Sequence, residues 1–219
     1  LAWRLSWVGD RQANEVMDAG LAERLRDGTR AKHRETERAG IMPALLAGRL
    51  PARRFAALQR NLHEIYAVLE PALARHADHA AIAAIHQPGL ERCGHLVADL
   101  IELHGPQWRD ELPVVPATEV YVERLAQLDR DDPEALVAHA YVRYLGDLSG
   151  GQMLKGIVAR SFQLDAGRGT GFYDFGAPDQ VARQARDFRA GLAAVPVRGA
   201  AIDRLVDEAC WAFDQHVLL

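Results

Sequence analysis

Apolar residues recur at three- and four-residue spacing along most of this chain, and this periodicity restricts its fold more than any other feature. The clearest example lies in residues 51–75, where the apolar positions are Phe55, Leu58, Leu62, Ile65, Tyr66 and Leu69. Such spacing places the apolar side chains on one face of an α-helix. Strand signals are almost absent, because the sequence contains no long apolar–polar alternation and no Asn-Gly turn. The sequence therefore predicts an all-α fold.

The same spacing predicts further helices beginning at Leu21 and covering residues 90–104, 117–128, 179–194 and 196–217. Asp132, Pro133 and Glu134 together are typical of a helix start, with a capping residue, a first-turn proline and an acid that favours the helix N-terminus. We expect this helix to continue into the glycine-rich stretch LGDLSGGQMLKG, residues 145–156. Residues 167–176, GRGTGFYDFG, are predicted to form a long loop.

Length and charge indicate a single domain without nucleic acid as its main partner. The chain has 219 residues, 49% of them apolar, which is enough for one well-packed core. We expect residues 1–20 to be an N-terminal extension and residues 21–219 to form that domain. The net charge of -4 argues against binding to a phosphate backbone, which calls for a basic face.

Cysteine usage and hydropathy indicate the compartment. Cys93 and Cys210 belong to no CxxC pair, so neither a disulfide framework nor a thiolate zinc site is indicated. The sequence contains no run of about 18 apolar residues and no signal-peptide pattern. It therefore predicts a cytoplasmic protein without a membrane segment.

The glycine-rich stretch contains the string LSGGQ, which is also the signature of ABC-type ATPases. A nucleotide site of that kind needs a strand followed by a GxxxxGK[ST] loop, and this chain has neither. Two interpretations remain: Gly146 and Gly150 allow another helix to approach closely, or they allow a flat ligand to lie against bare backbone. Three glycines within a helix, Gly151 included, cost roughly 3 kcal/mol relative to alanine, which favours a ligand as the reason.

A stripe of polar residues on the first helix suggests the other side of such a site. Arg26, Arg30, His33 and Glu37 are spaced so that they share one helix face. This set suits a planar iron macrocycle with two carboxylates, because His33 can ligate the metal while the arginines meet the acid groups. Glu37 can accept the second ring N–H of His33. The alternative interpretation is a solvated charged face with an incidental histidine.

Two motifs, GTRAKHRETE and AHAYVRYLGDLSGGQMLKG, resemble the haem oxygenase family, and the similarity extends over residues 21–216. The resemblance implies a single all-α domain with haem between a proximal and a distal helix. It also implies oxidative opening of haem b, which is both substrate and cofactor, to biliverdin, CO and iron. The reaction would use O₂ and electrons from an external partner such as a ferredoxin or a flavoprotein reductase.

On the proximal side, the resemblance makes His33 the axial ligand and Glu37 its hydrogen-bond partner, and it directs Arg26 and Arg30 to the haem propionates. The family usually has two basic residues, four apart, on a later helix that also faces the propionates. Arg186 matches one of them, whereas the other position is Ala182, and Arg183 is the available substitute.

On the distal side, the resemblance implies that Asp147 orders water molecules over the iron, with Tyr66 and Arg143 in the same polar network. The remaining haem-pocket residues that it implies are Tyr141, Gly146, Ser149, Gly150, Gly151 and Phe213. Two alternatives stay open from the sequence. One is a haem carrier or sensor that does not degrade its ligand, and the other is a cofactor-free helical scaffold.

Overall fold

A computed structural model describes residues 20–165 and 167–219 of the chain. The all-α prediction is confirmed, since these residues form helices joined by turns and contain no strand. The predicted N-terminal extension lies, apart from Gly20, outside the described residues. No helix in the described part of the chain is long and apolar enough to cross a membrane.

The α-helices follow one another closely along the chain. In order they are α1 (Leu21–Arg38), α2 (Met42–Leu46), α3 (Ala52–Arg75), α4 (Ala80–Ile85), α5 (Cys93–Leu103), α6 (Trp108–Glu111), α7 (Pro116–Asp131), α8 (Leu136–Ala140), α9 (Gly146–Ser161), α10 (Pro178–Ala194) and α11 (Ala200–Val217). The long helices lie where the apolar spacing predicts them. The short helices α2, α4 and α6 were not predicted, because a segment of four to six residues is too short to show a helical period.

The helical run that begins at Pro133 continues into the glycine-rich stretch, as predicted. It starts as a 3₁₀ turn, Pro133–Ala135, passes through α8, and reaches α9 by one π-helical turn, Tyr141–Leu145. Such π turns change the direction in which side chains point and are frequent at functional sites. The predicted loop at residues 167–176 contains a short 3₁₀ turn, Gly171–Tyr173.

The core forms where the long helices cross. α1 packs along α11, while α3 packs against both α5 and α7, and α10 crosses α1, α4 and α9. The apolar stripe of α3 is fully buried at Phe55, Ile65 and Leu69. This arrangement brings the polar stripe of α1 close to the π turn and the start of α9.

Gly191 marks the closest approach between α10 and α4. A Cβ atom at this position would lie 2.1 Å from the carbonyl oxygen of Ala84, which is backbone and cannot move aside. We predict that Gly191→Ala lowers the free energy of unfolding by about 1–3 kcal/mol, because it overpacks a helix crossing. The urea midpoint of the ligand-free protein measures this effect.

Gly94→Ala is the matched control, since Gly94 lies in the first turn of α5 and an added Cβ would meet nothing within 4 Å. This variant should be neutral or more stable by up to about 1 kcal/mol, because alanine is the better helix former. Equal urea midpoints for the two variants would contradict the close approach of α10 and α4.

Candidate functional site

Two adjoining cavities lie between α1 and the π turn with α9. Their volumes are about 240 and 510 Å³, and the larger one is within the usual range for ligand pockets, about 300–1,000 Å³. The residues common to both cavities are His33, Val142, Gly146 and Phe213. The polar stripe of α1 and the glycine-rich helix therefore face each other across one continuous slot.

Open space lies over two of the three predicted glycines. A Cβ atom added at Gly146 or Gly150 would meet nothing within 4 Å beyond the helix's own backbone. Both positions line the smaller cavity. Close packing by another helix therefore does not explain these two glycines. Gly151 is different, because its Cβ would lie 3.5 Å from the carbonyl oxygen of Tyr173 and it lines neither cavity. The slot has a wall of bare backbone.

His33 stands on the opposite wall beside Glu37, its predicted neighbour, and Phe213. Its side chain is 54% exposed, its Nδ1 lies 3.7 Å from Oε1 of Glu37, and its ring meets the ring of Phe213 edge-on at 5.8 Å between centroids. At 3.7 Å the hydrogen bond expected between these two side chains is not formed, although Glu37 lies on the Nδ1 side of the ring. An Nδ1–H directed at Glu37 leaves the lone pair of Nε2 for a metal in the slot.

A single protein ligand for a metal is what a haem iron requires, since the porphyrin supplies the ring nitrogens. In the described residues, no group of three or more His, Cys, Asp or Glu side chains could hold a metal ion by itself. A flat group fits between His33 and the bare backbone at Gly146 and Gly150, because all three residues line one cavity and an added Cβ at either glycine would meet nothing within 4 Å.

A buried polar network borders the smaller cavity next to the glycines. The hydroxyl of Tyr66 donates a hydrogen bond to Oδ2 of Asp147, and Nη2 of Arg143 donates to Oδ1 of Asp147 at 3.2 Å. Nε of Arg143 also donates to the Tyr66 hydroxyl at 3.3 Å. Burial raises the pKa of Asp147, while the guanidinium of Arg143 and the hydroxyl of Tyr66 oppose that rise. The net effect is that the pKa of Asp147 lies above the ordinary value of an aspartate, as is common for carboxyl groups at functional sites.

Tyr141 links the two walls of the slot at the larger cavity. The Thr29 hydroxyl donates to the carbonyl oxygen of Leu25 at 2.7 Å, so the Tyr141 hydroxyl donates to Thr29 Oγ1 at 3.0 Å. Arg26 and Ser149 line the same cavity. Arg26 is held by Asp27, with 2.9 Å between Nε and Oδ1.

Three arginines considered from the sequence do not line the slot. Arg30 is exposed and pairs with Asp27 at 3.3 Å. Arg186 is exposed on α10, one turn before Arg189, where that helix begins to border the larger cavity. Arg183 pairs with Asp179 at 3.7 Å. The arginine of α10 that does line the larger cavity is Arg189.

A second group of lining residues comes from a loop and was not predicted. Phe172 and Tyr173, from the loop at residues 167–176, line the smaller cavity. Their turn is held by Asp99, whose carboxylate accepts the backbone N–H groups of Gly171 and Phe172 at 2.8 Å each. Loop residues show no helical spacing, so this part of the wall had no periodic signal. His216 also lines this cavity.

The slot lies between a helix that carries an imidazole and a helix lined with glycine. An all-α domain with such a slot belongs to the class of proteins that can hold haem between a proximal and a distal helix. Residues 19–217 match the family model described as Heme oxygenase. The chain belongs to the haem oxygenase family.

Individual relatives agree with the family match. The chain is 39% identical to "Heme oxygenase 2" of Synechocystis sp. over 88% of its length and 78% of that protein. It is 36% identical to "Heme oxygenase 1" of Nostoc sp., covering 92% of this chain and 84% of that protein. The crystal structure of heme oxygenase-2 from Synechocystis sp. in complex with heme and NO superposes with a TM-score of 0.87 at 38% identity, covering 91% of this chain and 83% of that one.

The open space over Gly150 generates a test of the slot. Gly150→Leu should fold normally, because leucine is a better helix former than glycine by somewhat under about 1 kcal/mol and its Cβ would meet nothing within 4 Å. The same side chain should weaken hemin binding at least about tenfold, equivalent to about 1.4 kcal/mol. A hemin titration followed at the Soret band measures the affinity.

Gln152→Leu is the control, since Gln152 is exposed on the same helix and lines neither cavity. It should leave hemin affinity unchanged. If Gly150→Leu bound hemin as tightly as Gln152→Leu, the ligand would not lie against this backbone.

Proposed function

We propose that this chain is a haem oxygenase that cleaves haem b to biliverdin, CO and ferrous iron with O₂ and electrons from an external donor. The observation that carries the proposal is the slot itself, with His33 on one wall, bare backbone at Gly146 and Gly150 on the other, and Asp147 beside that backbone. Membership of the haem oxygenase family supports it.

The chain's own residues have separable tasks in this reaction. When bound, haem supplies the iron at which O₂ is activated and the ring carbon that is oxidised. His33 would hold the group from one side, with Glu37 positioned to orient its ring. Gly146 and Gly150 keep the opposite side free of bulky or charged side chains, so the ring can lie close to the main chain.

Asp147 is the residue that we propose to order water molecules and to pass protons on the glycine side. Its two carboxylate oxygens are held by Tyr66 and Arg143, so its orientation is fixed. Burial raises the pKa of this carboxyl against the opposing charge of Arg143, so it takes up a proton more readily than an exposed aspartate, which suits a proton-transferring group.

The larger cavity is the proposed place for the two haem carboxylates. Arg26 and Arg189 line it, whereas the smaller cavity is bordered mainly by apolar side chains such as Leu58 and Leu62. A carboxylate keeps water or a cation near it, so it favours the larger cavity. Arg30 and Arg186, both assigned this task from the sequence, are proposed to act only at longer range.

A non-degrading haem carrier or sensor is the alternative left open by the sequence. Such a protein needs a ligand for the iron and a slot for the ring, but it does not need three hydrogen-bonded polar groups beside the bare wall. The network of Tyr66, Arg143 and Asp147 supports catalysis over storage.

We also propose the domain bounds, the electron donor and the cellular compartment. Residues 21–219 form the haem oxygenase domain, and a ferredoxin or flavoprotein reductase delivers the electrons. The cytoplasm is the proposed location, consistent with the free thiols of Cys93 and Cys210. No nucleic acid and no membrane takes part.

Adding hemin and then a reductant tests the function. A sharp Soret band on addition of hemin would show binding through His33, and His33→Ala should lose that spectrum. Ascorbate or a ferredoxin system in air should then remove the Soret band and produce biliverdin absorption. A Soret band that persists under these conditions would favour the carrier.

Asp147→Ala tests the role of the carboxylate. We predict that it keeps hemin affinity but slows ring opening by about 10² or more, because proton transfer by a positioned group typically contributes that much. Biliverdin yield in a single-turnover assay provides the measurement. Asp207→Ala, at an exposed acid of α11 outside the slot, is the control and should behave as the unaltered protein. An undiminished yield from Asp147→Ala would refute the role.

A further inference from the structure

His216, near the end of α11, is bonded at both ring nitrogens. Its Nδ1 lies 3.0 Å from the carbonyl oxygen of Ala212, and its Nε2 meets Nη1 of Arg143. A carbonyl oxygen can only accept, so Nδ1 carries the ring hydrogen of the neutral imidazole. Nε2 then has a free lone pair and accepts from Arg143. The two partners fix both the tautomer and the orientation of the ring.

Arg143 uses all three guanidinium nitrogens in contacts of this kind. Nη1 donates to His216, Nε donates to the Tyr66 hydroxyl at 3.3 Å, and Nη2 donates to Asp147 at 3.2 Å. The guanidinium group is planar and rigid, so fixing one nitrogen fixes the directions of the other two. His216 therefore accepts from a different edge of the guanidinium than the edge that faces Tyr66 and Asp147.

We propose that His216 is a positioning residue of the distal site, which accepts a hydrogen bond from Arg143 and thereby directs the opposite edge of the guanidinium at Asp147 and Tyr66. The effect on ring opening rests on the proposed function, whereas the geometry does not. Without an acceptor at residue 216, Nη1 would be buried and unpaired, and the guanidinium would rotate to find another partner.

The charge state of His216 agrees with this role. Burial and the positive charge of Arg143 lower the pKa of His216 well below its ordinary value, while the carbonyl of Ala212 opposes the change. The imidazole therefore stays neutral and keeps its acceptor. A competing interpretation is that His216 only fills space, since its ring packs edge-on against Tyr121 at 5.6 Å between centroids.

Replacing the acceptor separates the two interpretations. His216→Leu removes it, and His216→Gln restores it, because the amide oxygen of glutamine reaches about as far as Nε2. The readout is the pH midpoint of the acid–alkaline transition of the ferric hemin complex, which responds to hydrogen bonding on the distal side. We expect His216→Leu to keep hemin affinity, to shift that midpoint, and to slow ring opening on the order of tenfold. We expect His216→Gln to return both quantities toward those of the unaltered protein.

Two comparisons show whether the effect passes through Arg143 and Asp147. In an Asp147→Asn background, His216→Leu should shift the midpoint no further. Ile202→Val, in the buried part of α11 and outside the slot, should not move it at all. If His216→Leu does not fold, His216→Met takes its place, because methionine adapts to irregular space and lacks a comparable acceptor.

Each outcome counts for or against the proposal. An unchanged midpoint in His216→Leu would overturn it, and so would a glutamine variant as impaired as the leucine variant. If the unaltered protein bound hemin without producing biliverdin, the proposed function would fail, but the midpoints would still decide the role of His216. If the unaltered protein were active and His216→Leu matched it in both readouts, only this inference would fail.

Discussion

The structure depends on keeping a stretch of helix without side chains beside an open cavity. Gly146 and Gly150 face that cavity, and each glycine costs the helix about 1 kcal/mol relative to alanine. Contacts between the surrounding helices hold the walls of the slot in position. The hydrogen bond between Tyr141 and Thr29 joins α1 to the π turn, and Lys32 on α1 pairs with Asp214 on α11 at 2.6 Å. The positions of the walls are therefore set by these side-chain contacts and not by the glycines themselves.

Arg143 connects the site to the rest of the fold. Its guanidinium is buried, and a buried cation without partners would cost several kcal/mol. The partners come from three separate elements: Tyr66 from α3, Asp147 from α9 and His216 from α11. Packing errors in any of these helices would leave the charge unsatisfied. Correct assembly of the core and correct orientation of Asp147 are thus parts of the same requirement.

The sequence predicted what local periodicity can show. It predicted the long helices, the shared face of His33 and Glu37, and a special role for Gly146 and Gly150. The family resemblance indicated Arg186, whereas Arg189 is the arginine of α10 that lines the larger cavity, and periodicity does not show where a helix leaves the rim of a cavity. The partner of His216 is 73 positions away in the chain, and no spacing rule relates two residues at that distance. Loop residues such as Phe172 had no pattern at all.

The energetic character of the network helps to separate an enzyme from a carrier. Well-packed apolar residues of similar volume often match or exceed the stability of a buried ion pair, so the contact between Arg143 and Asp147 is not needed for stability alone. Haem binding as proposed does not need it either, because His33 and the bare wall would provide the ligand and the space. What such a network can provide is a carboxylate in a defined direction, with a proton affinity that burial and a nearby cation pull in opposite directions. A group with these properties beside the bare wall of the slot supports the proposed proton-coupled chemistry over storage.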